Sequence, residues 1–448
     1  MIIGFEMVSI KYLRNEKEVK SLGLSGDIRE ITSQQKKEIN GLSKKERALR
    51  FQGFLITDES NSVVFEDKKR YSLHFFPLSV IDYAGAMYDF ERSGKRIPIL
   101  SVDSHDVLRC DFRCEDCLSA HGTNFPLDKF PKDNFNMGLD TYKHILKQIV
   151  EYSGKRGFKG VRFEQSGEGN PDFYANRKEI LEYSKEIGMQ SVYVSTGSRI
   201  DKNLMDALVE NSSFIRISFP GIGNNAYESY SNQNKFSFSD AINKVKHLIE
   251  IREKKMRKDL MIGARATIRP EHSEKYFEFA KDLKNMGVDS LQIVKILVPE
   301  GKKPLEFPLS KGEIENIEKT EALDDNNFNV SIPHSLDYMF YSREIENRDE
   351  FPPQCFSALF QPVLAGRSLF VCTISNVMYS PSLKLGTFEA NKEGLERFLS
   401  SENLDKVAKG IPSTCQSCSN IYDNNLLFSL QKLFRSNKNK LNFYEVLR

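Results

Sequence analysis

The 448-residue sequence has no run of about 18 apolar residues, so no membrane-spanning helix is expected. It also lacks an excess of either charge: 64 Lys and Arg against 62 Asp and Glu leave a net charge of +2. That balance gives no electrostatic footprint for nucleic acid. The most basic run, REKKMRK at 252–258, closes a helical pattern and reads as a solvated helix end. Residues 1–20 lack a sustained apolar segment and a small-residue cleavage site. No signal peptide is read there, and a cytoplasmic protein is expected. There is no low-complexity tract and no repeat beyond a strand–helix unit. The length suits two or three domains and a large buried core.

Cysteine is scarce but not scattered. Of seven cysteines, Cys110, Cys114 and Cys117 fall within eight residues, and Cys355, Cys372, Cys415 and Cys418 lie in the last hundred. Secreted disulfide frameworks serve short chains and rarely leave an odd cysteine. In a chain of this size, clustered thiols point to metal.

Residues 1–98 are polar and mixed. Residues 31–51 read as helical, and residues 54–76 as a hairpin around Ser60-Asn61. From residue 98 the pattern becomes regular. Strands are predicted at 98–104, 160–167, 191–197, 214–221, 260–268 and 290–299. Helices are predicted at 139–157, 176–189, 202–212, 237–255 and 273–288, the last capped by Ser273 and stopped at Gly287. Ile145, Leu146, Ile149 and Val150 share one helical face, as do Ile242, Val245, Leu248 and Ile249. Such alternation implies parallel strands with right-handed crossovers. Six units in about 200 residues suit a partial (β/α)6 barrel, since eight units take about 250. An open doubly wound sheet is the alternative. In both, reactive groups gather at the C-terminal ends of the strands, where the three-cysteine loop falls. Residues 301–350 read as linker with one or two helices, and the last segment as a small cysteine-bearing domain with a hairpin between Gly366 and Tyr379.

The loop DVLRCDFRCEDCLSAHG (106–122) spaces its thiols C-x3-C-x2-C. A structural zinc site takes four ligands, so His105 or His121 would have to complete it. The other reading is an iron–sulfur cubane with one iron left open, since such clusters normally take four thiolates. On this loop the sequence resembles the radical S-adenosylmethionine (radical SAM) superfamily. The resemblance implies that the open iron chelates the amino and carboxylate groups of SAM. Electron transfer into the sulfonium then gives methionine and a 5′-deoxyadenosyl radical that abstracts hydrogen from substrate. It also implies an external electron donor such as flavodoxin or ferredoxin. A second element agrees: EQSGEGNP (164–171) resembles the family's Gly-Gly-Glu motif, with Gly167 and Glu168 matching and Ser166 in place of the first glycine. The alternative for this segment is a glycine-rich turn. The family often has an aromatic residue before the third cysteine; here Asp116 stands there and Phe112 lies elsewhere in the loop. By the same resemblance Ser218 would contact the SAM ribose, and Arg265 would pair with its carboxylate. Ser195 ends the third strand, and Lys295 is an isolated charge on the sixth, with a snorkelling rim lysine as the alternative.

Cys355 and Cys372 are separated by sixteen residues, and Cys415 and Cys418 form a CQSC pair. On spacing alone they suit structural zinc. Beside a radical SAM core they resemble the twitch form of the SPASM domain, which implies one auxiliary 4Fe-4S cluster and two clusters in all. The reading that follows is a radical SAM oxidoreductase or lyase-type enzyme acting on a small polar biosynthetic substrate, of sugar or aminocyclitol type. The alternatives are a peptide-modifying maturase and, from another class, a non-catalytic zinc protein. Glu164, Gln165, Arg216 and Lys295 are candidates to bind substrate or move a proton, although strand alternation turns some of them away from the pocket. The expected division is an N-terminal extension at 1–98, a radical SAM core at 99–300, a linker with helices at 301–350 and a cluster domain at 351–448.

Overall fold

The fold is seen in a computed structural model. It describes residues 62–64, 70–72, 98–107, 109–114, 117, 137–167, 169–297, 308–325, 327–332, 340–341, 360–371, 384–389, 394–400 and 402–403. Glu168, Cys355, Cys372, Cys415, Cys418, His121, Asp116 and the helix expected at 31–51 lie outside them.

Six strands alternate with helices. They are β1 (Ser101–His105), β2 (Arg162–Ser166), β3 (Gln190–Ser195), β4 (Ser212–Phe219), β5 (Met261–Thr267) and β6 (Ser290–Val294). Between them run α1 (Leu139–Gly154), α2 (Arg177–Glu186), α3 (Lys202–Asn211), α4 (Asn224–Ser231), α5 (Phe238–Lys254) and α6 (Tyr276–Met286). The strands are parallel and lie side by side in chain order. A doubly wound sheet would reverse its order at a switch point. Here the order never reverses, so right-handed crossovers place every helix on one face. The helices accordingly pack neighbour on neighbour: α1 on α2, α2 on α3, α3 on α5. This is the wall of an open barrel.

Alternation within the strands separates two environments. Phe163, Tyr193, Ile215, Ile217, Ala264, Ala266, Leu291 and Ile293 face the helices and are buried. They meet Ile180, Leu181, Leu208, Val245, Leu248, Phe279 and Leu283 from the helix layer. The opposite set, Arg162, Glu164, Ser166, Arg216, Ser218, Arg265 and Gln292, is half-buried and lines the concave face. The apolar set carries the stability and leaves the concave face free to be polar.

Four strands of the same sheet and a helix lie outside the expected six units. Helix α7 (Lys311–Glu318) leads to β7 (Asn329–Ser331), which adds parallel to β6. Strand β8 (Val363–Ala365) adds parallel to β1, and β9 (Ser368–Phe370) and β10 (Lys384–Thr387) continue antiparallel, for ten strands in one sheet among the described residues. The hairpin expected between Gly366 and Tyr379 instead turns at Gly366-Arg367. Gly366 has φ +55, which a glycine adopts without strain. The N-terminal pair is likewise Ser62–Val64 with Arg70–Ser72, so its reversal comes after Val64 and not at Ser60-Asn61. Ser273 does not cap α6. It sits inside a 3-10 turn, Pro270–Lys275, because Pro270 starts helical geometry early. The basic run closes α5 as expected, but it is not merely solvated. Arg252 pairs with Asp289, Lys255 with Glu210 and Asp206, and Arg257 with Asp259. Among the described residues no helix is long and apolar enough to cross a membrane.

Candidate active site

The cysteine loop leaves the C-terminal end of β1 and is tied down at several points. Arg177, buried in α2, donates to Asp106 at 3.0 Å and to Gln165 at 2.8 Å, fixing the start of the loop. Gln165 therefore belongs to a structural network on the helix side, as alternation along β2 requires, and not to the pocket. The Asn170 N–H donates to the Arg109 carbonyl at 2.9 Å, and the Arg113 N–H to the Ser231 carbonyl at 2.7 Å. Asp111 accepts from Ser198 at 2.9 Å and Arg199 at 3.1 Å. Phe112 is 2 % exposed and packs edge-on to Tyr227 at 5.8 Å. Its role is to anchor the loop.

The three cysteines form no disulfide and are half-buried. Cys117 N–H donates to the Cys114 carbonyl at 3.1 Å, a single turn, and the Phe112 N–H donates to Cys110 Sγ at 3.4 Å. Among the described residues no three His, Cys, Asp or Glu side chains have closed into a metal-holding group. The donor set nevertheless fits a thiophilic metal. Thiolates suit iron–sulfur clusters and zinc, three of them leave one coordination position open, and N–H donors to sulfur tune such clusters. Burial pushes the Cys110 thiol up to about 12, against the Phe112 N–H; a metal cation reverses that and takes the thiolate. His105 pairs with Asp103. It is 3 % exposed, and its Nε2 is 3.0 Å from Asp103 Oδ2.

A cleft of about 650 Å³ flanks the loop, lined by Arg109, Arg113, Arg199, Lys235, Cys110 and Phe173 among others. Arg109 and Arg199 both stack on Phe173, at 4.7 and 5.0 Å. Among the described residues, the expected SAM contacts Gly167, Ser218 and Arg265 do not line this cleft. Gly167 is exposed at the end of β2, and a Cβ there would lie 3.8 Å from the His105 Cα. Ser218 and Arg265 are register partners on β4 and β5, so the structure brings them side by side on the concave face. Ser195 lies apart from them. Its hydroxyl donates to Asp172 at 2.7 Å, and Asp172 also accepts from Tyr193 at 2.5 Å. Burial raises the Asp172 carboxyl, against those hydrogen bonds. Lys295 is 9 % exposed, so it is no rim lysine; it sits where β6 breaks before Ile296–Leu297.

The concave face holds residues that the motifs did not single out. Asp103 accepts from Ser166 Oγ at 2.5 Å and binds His105 at 3.0 Å. Its register partner is Glu164. Arg216 Nη1 donates to Gln292 at 2.9 Å, and Arg216 lies 4.0 Å from Glu164. The signal for Asp103 was present: a carboxylate and His105 two apart on one strand must share a face.

No family model and no curated protein matches the sequence. Solved structures do. The Streptococcus suis protein SuiB, solved bound to S-adenosylmethionine, is 13 % identical, with a TM-score of 0.51 over 79 % of this chain and 76 % of SuiB. SuiB bound to its precursor peptide SuiA gives 13 % identity and a TM-score of 0.50, over 80 % and 77 %. At this identity the likeness is one of fold: the chain shares the fold of SuiB. A weaker likeness, TM-score 0.48 at 14 % identity over 73 % and 88 %, is to anSMEcpe with bound AdoMet and a peptide. The open-barrel reading thus holds over the doubly wound one, and the three-cysteine loop occupies the end of the barrel where ligands bind.

Proposed function

We propose that this chain is a radical SAM enzyme acting on a small polar biosynthetic substrate of sugar or aminocyclitol type. The observation that carries the reading is one of placement. The C-x3-C-x2-C loop stands at the C-terminal end of the first strand of an open barrel, above a concave face lined by charge. Cys110, Cys114 and Cys117 would hold a 4Fe-4S cluster, and Gly167, Glu168, Ser218 and Arg265 would hold SAM. Cys355, Cys372, Cys415 and Cys418 would ligate the second cluster in a domain at 351–448, joined through 301–350 to the core at 99–300, with 1–98 as an extension. When bound, the cluster and SAM supply one-electron cleavage and hydrogen abstraction, with the electron coming from a flavodoxin- or ferredoxin-type donor. The protein's part is to position. The Arg177–Asp106 and Asp111–Arg199 pairs fix the loop. Arg265 offers a charge beside Ser218, and the polar concave face receives substrate hydroxyls.

Replacing Cys110, Cys114 and Cys117 with Ala should abolish 5′-deoxyadenosine formation in anaerobic assays with SAM and dithionite. Retained formation would sink the assignment. A second reading, modification of a peptide, is supported by the SuiB fold, since SuiB was solved with its precursor peptide. Product analysis against an aminocyclitol panel and against peptides separates the two.

A further inference from the structure

We propose that Asp103 and Glu164 form an electrostatically coupled carboxyl pair inside the barrel, with Glu164 the member that keeps the proton and delivers it to substrate; this rests on reading the concave face as the substrate site. Asp103 and Glu164 are register partners on adjacent parallel strands and point to the same face. Adjacent strands lie about 4.8 Å apart, so two carboxyls at one register position on the same face each disfavour ionisation of the other.

The hydrogen bonds decide which one ionises. Asp103 is engaged at both oxygens, by Ser166 Oγ on Oδ1 at 2.5 Å and by His105 Nε2 on Oδ2 at 3.0 Å. The Ser166 hydroxyl, and His105 in the tautomer that carries its proton on Nε2, favour the Asp103 carboxylate. Among the described residues the Glu164 carboxyl accepts no hydrogen bond, and its one ion-pair contact is Arg216 at 4.0 Å. Its side chain remains 23 % exposed, toward the barrel interior. Among the described residues the charged groups facing it are Asp103 and His105 on β1, Arg162 on its own strand, Arg216 on β4 and Arg265 on β5; β3 contributes Val192 and Val194, and β6 the neutral Gln292. Burial and then Asp103 raise the Glu164 carboxyl, and the three arginines oppose them without prevailing. Arg216 is itself held down at about 10 by burial and by Arg265, and its Nε is buried with no partner. A carboxyl whose hold on its proton is strengthened therefore stands beside an unused donor. Together they suit a substrate oxygen or nitrogen that must gain a proton while a neighbouring acceptor is held by Arg216.

In the step, the Glu164 O–H bond breaks and its proton moves to the substrate atom. The bonding pair stays on Glu164, which becomes a carboxylate beside Arg216, and no electron changes hands. Water returns the proton after product leaves.

The test uses reconstituted full-length protein at pH 7. Infrared difference spectra between wild type and Glu164→Gln should show the carbonyl stretch of a neutral carboxylic acid, present only in wild type. A water-soluble carbodiimide with glycine ethyl ester, which activates protonated carboxyls, should label Glu164 and spare Asp103 on peptide mapping. Asp103→Asn should slow labelling of Glu164 about tenfold, while Ser166→Ala, which leaves the charge of Asp103, should not. Absence of the infrared band, or labelling indifferent to Asp103→Asn, would overturn the proposal. If Asp103→Asn fails to fold, the infrared comparison decides alone. Neither measurement needs SAM, so wild type that passes both yet forms no deoxyadenosine would keep the pair and overturn the enzyme reading.

Discussion

Arg177 shows how much one side chain positions here. It is 2 % exposed and satisfies Asp106, Gln165 and the Pro171 carbonyl at once. Breaking a buried pair strands its partner, so Arg177→Met should destabilise by about 3–5 kcal/mol in chemical denaturation. It should also loosen the cysteine loop, which starts directly after Asp106. At Gly263 an added Cβ would meet Ser290 Oγ at 2.6 Å and Phe214 Cζ at 2.8 Å. Gly263→Ala should therefore cost about 1–3 kcal/mol by overpacking, measured the same way. At this scale the sequence was only partly legible. Cys110, Cys114 and Cys117 announce themselves by spacing. Gln165 did not, because a polar residue at a strand end looks alike on either face until the register is known. Asp172 carries no motif, and its partners Tyr193 and Ser195 come from the next strand; Asp103 has His105 close by, but its contact with Ser166 follows only from the sheet register.

The helices illustrate what local sequence does settle. Ser237 caps α5 in a capping box with Asp240: the Ser237 N–H donates to the carboxylate at 2.8 Å, and the Asp240 N–H donates to Ser237 Oγ at 3.1 Å. Ser237→Ala should cost about 1 kcal/mol of stability, read from the denaturation midpoint. The pH dependence has a definite sign. The Ser237 N–H and hydroxyl lower the Asp240 carboxyl below its ordinary value. The folded state then binds fewer protons than the unfolded one, so the cap's contribution is complete above the ordinary Asp value. It is lost as pH falls through the lowered one. Acid titration of wild type against Ser237→Ala should show their stabilities converging at low pH; a constant difference would contradict the assignment. Periodicity and glycine stops located α1, α2, α3 and α5 to within a few residues, because their signals are local. It missed α4 and β7, which are short, and it misplaced the start of α6, where Pro270 begins a 3-10 turn before the apolar face does.

At the scale of the whole molecule, strand–helix alternation sufficed for the parallel sheet, since each βα unit must bury one face and cross over right-handed. It could not show that Val363–Ala365 would pair with Ser101–His105, a contact that depends on register and not on composition. That pairing ties residues of the C-terminal segment to the strand that carries the cysteine loop. The two cysteine groups should then separate by function. Replacing Cys415 and Cys418 should reduce product formation more than SAM cleavage, and equal loss of both in a folded variant would contradict two distinct roles. The central claim is that the Cys110–Cys117 loop holds iron and serves SAM cleavage. The most direct measurement takes anaerobically reconstituted protein, counts iron and sulfide per chain, and assays 5′-deoxyadenosine after SAM and dithionite are added. The account predicts about eight irons, two cubanes' worth, with deoxyadenosine formed. Zinc in place of iron, with SAM untouched, would contradict it.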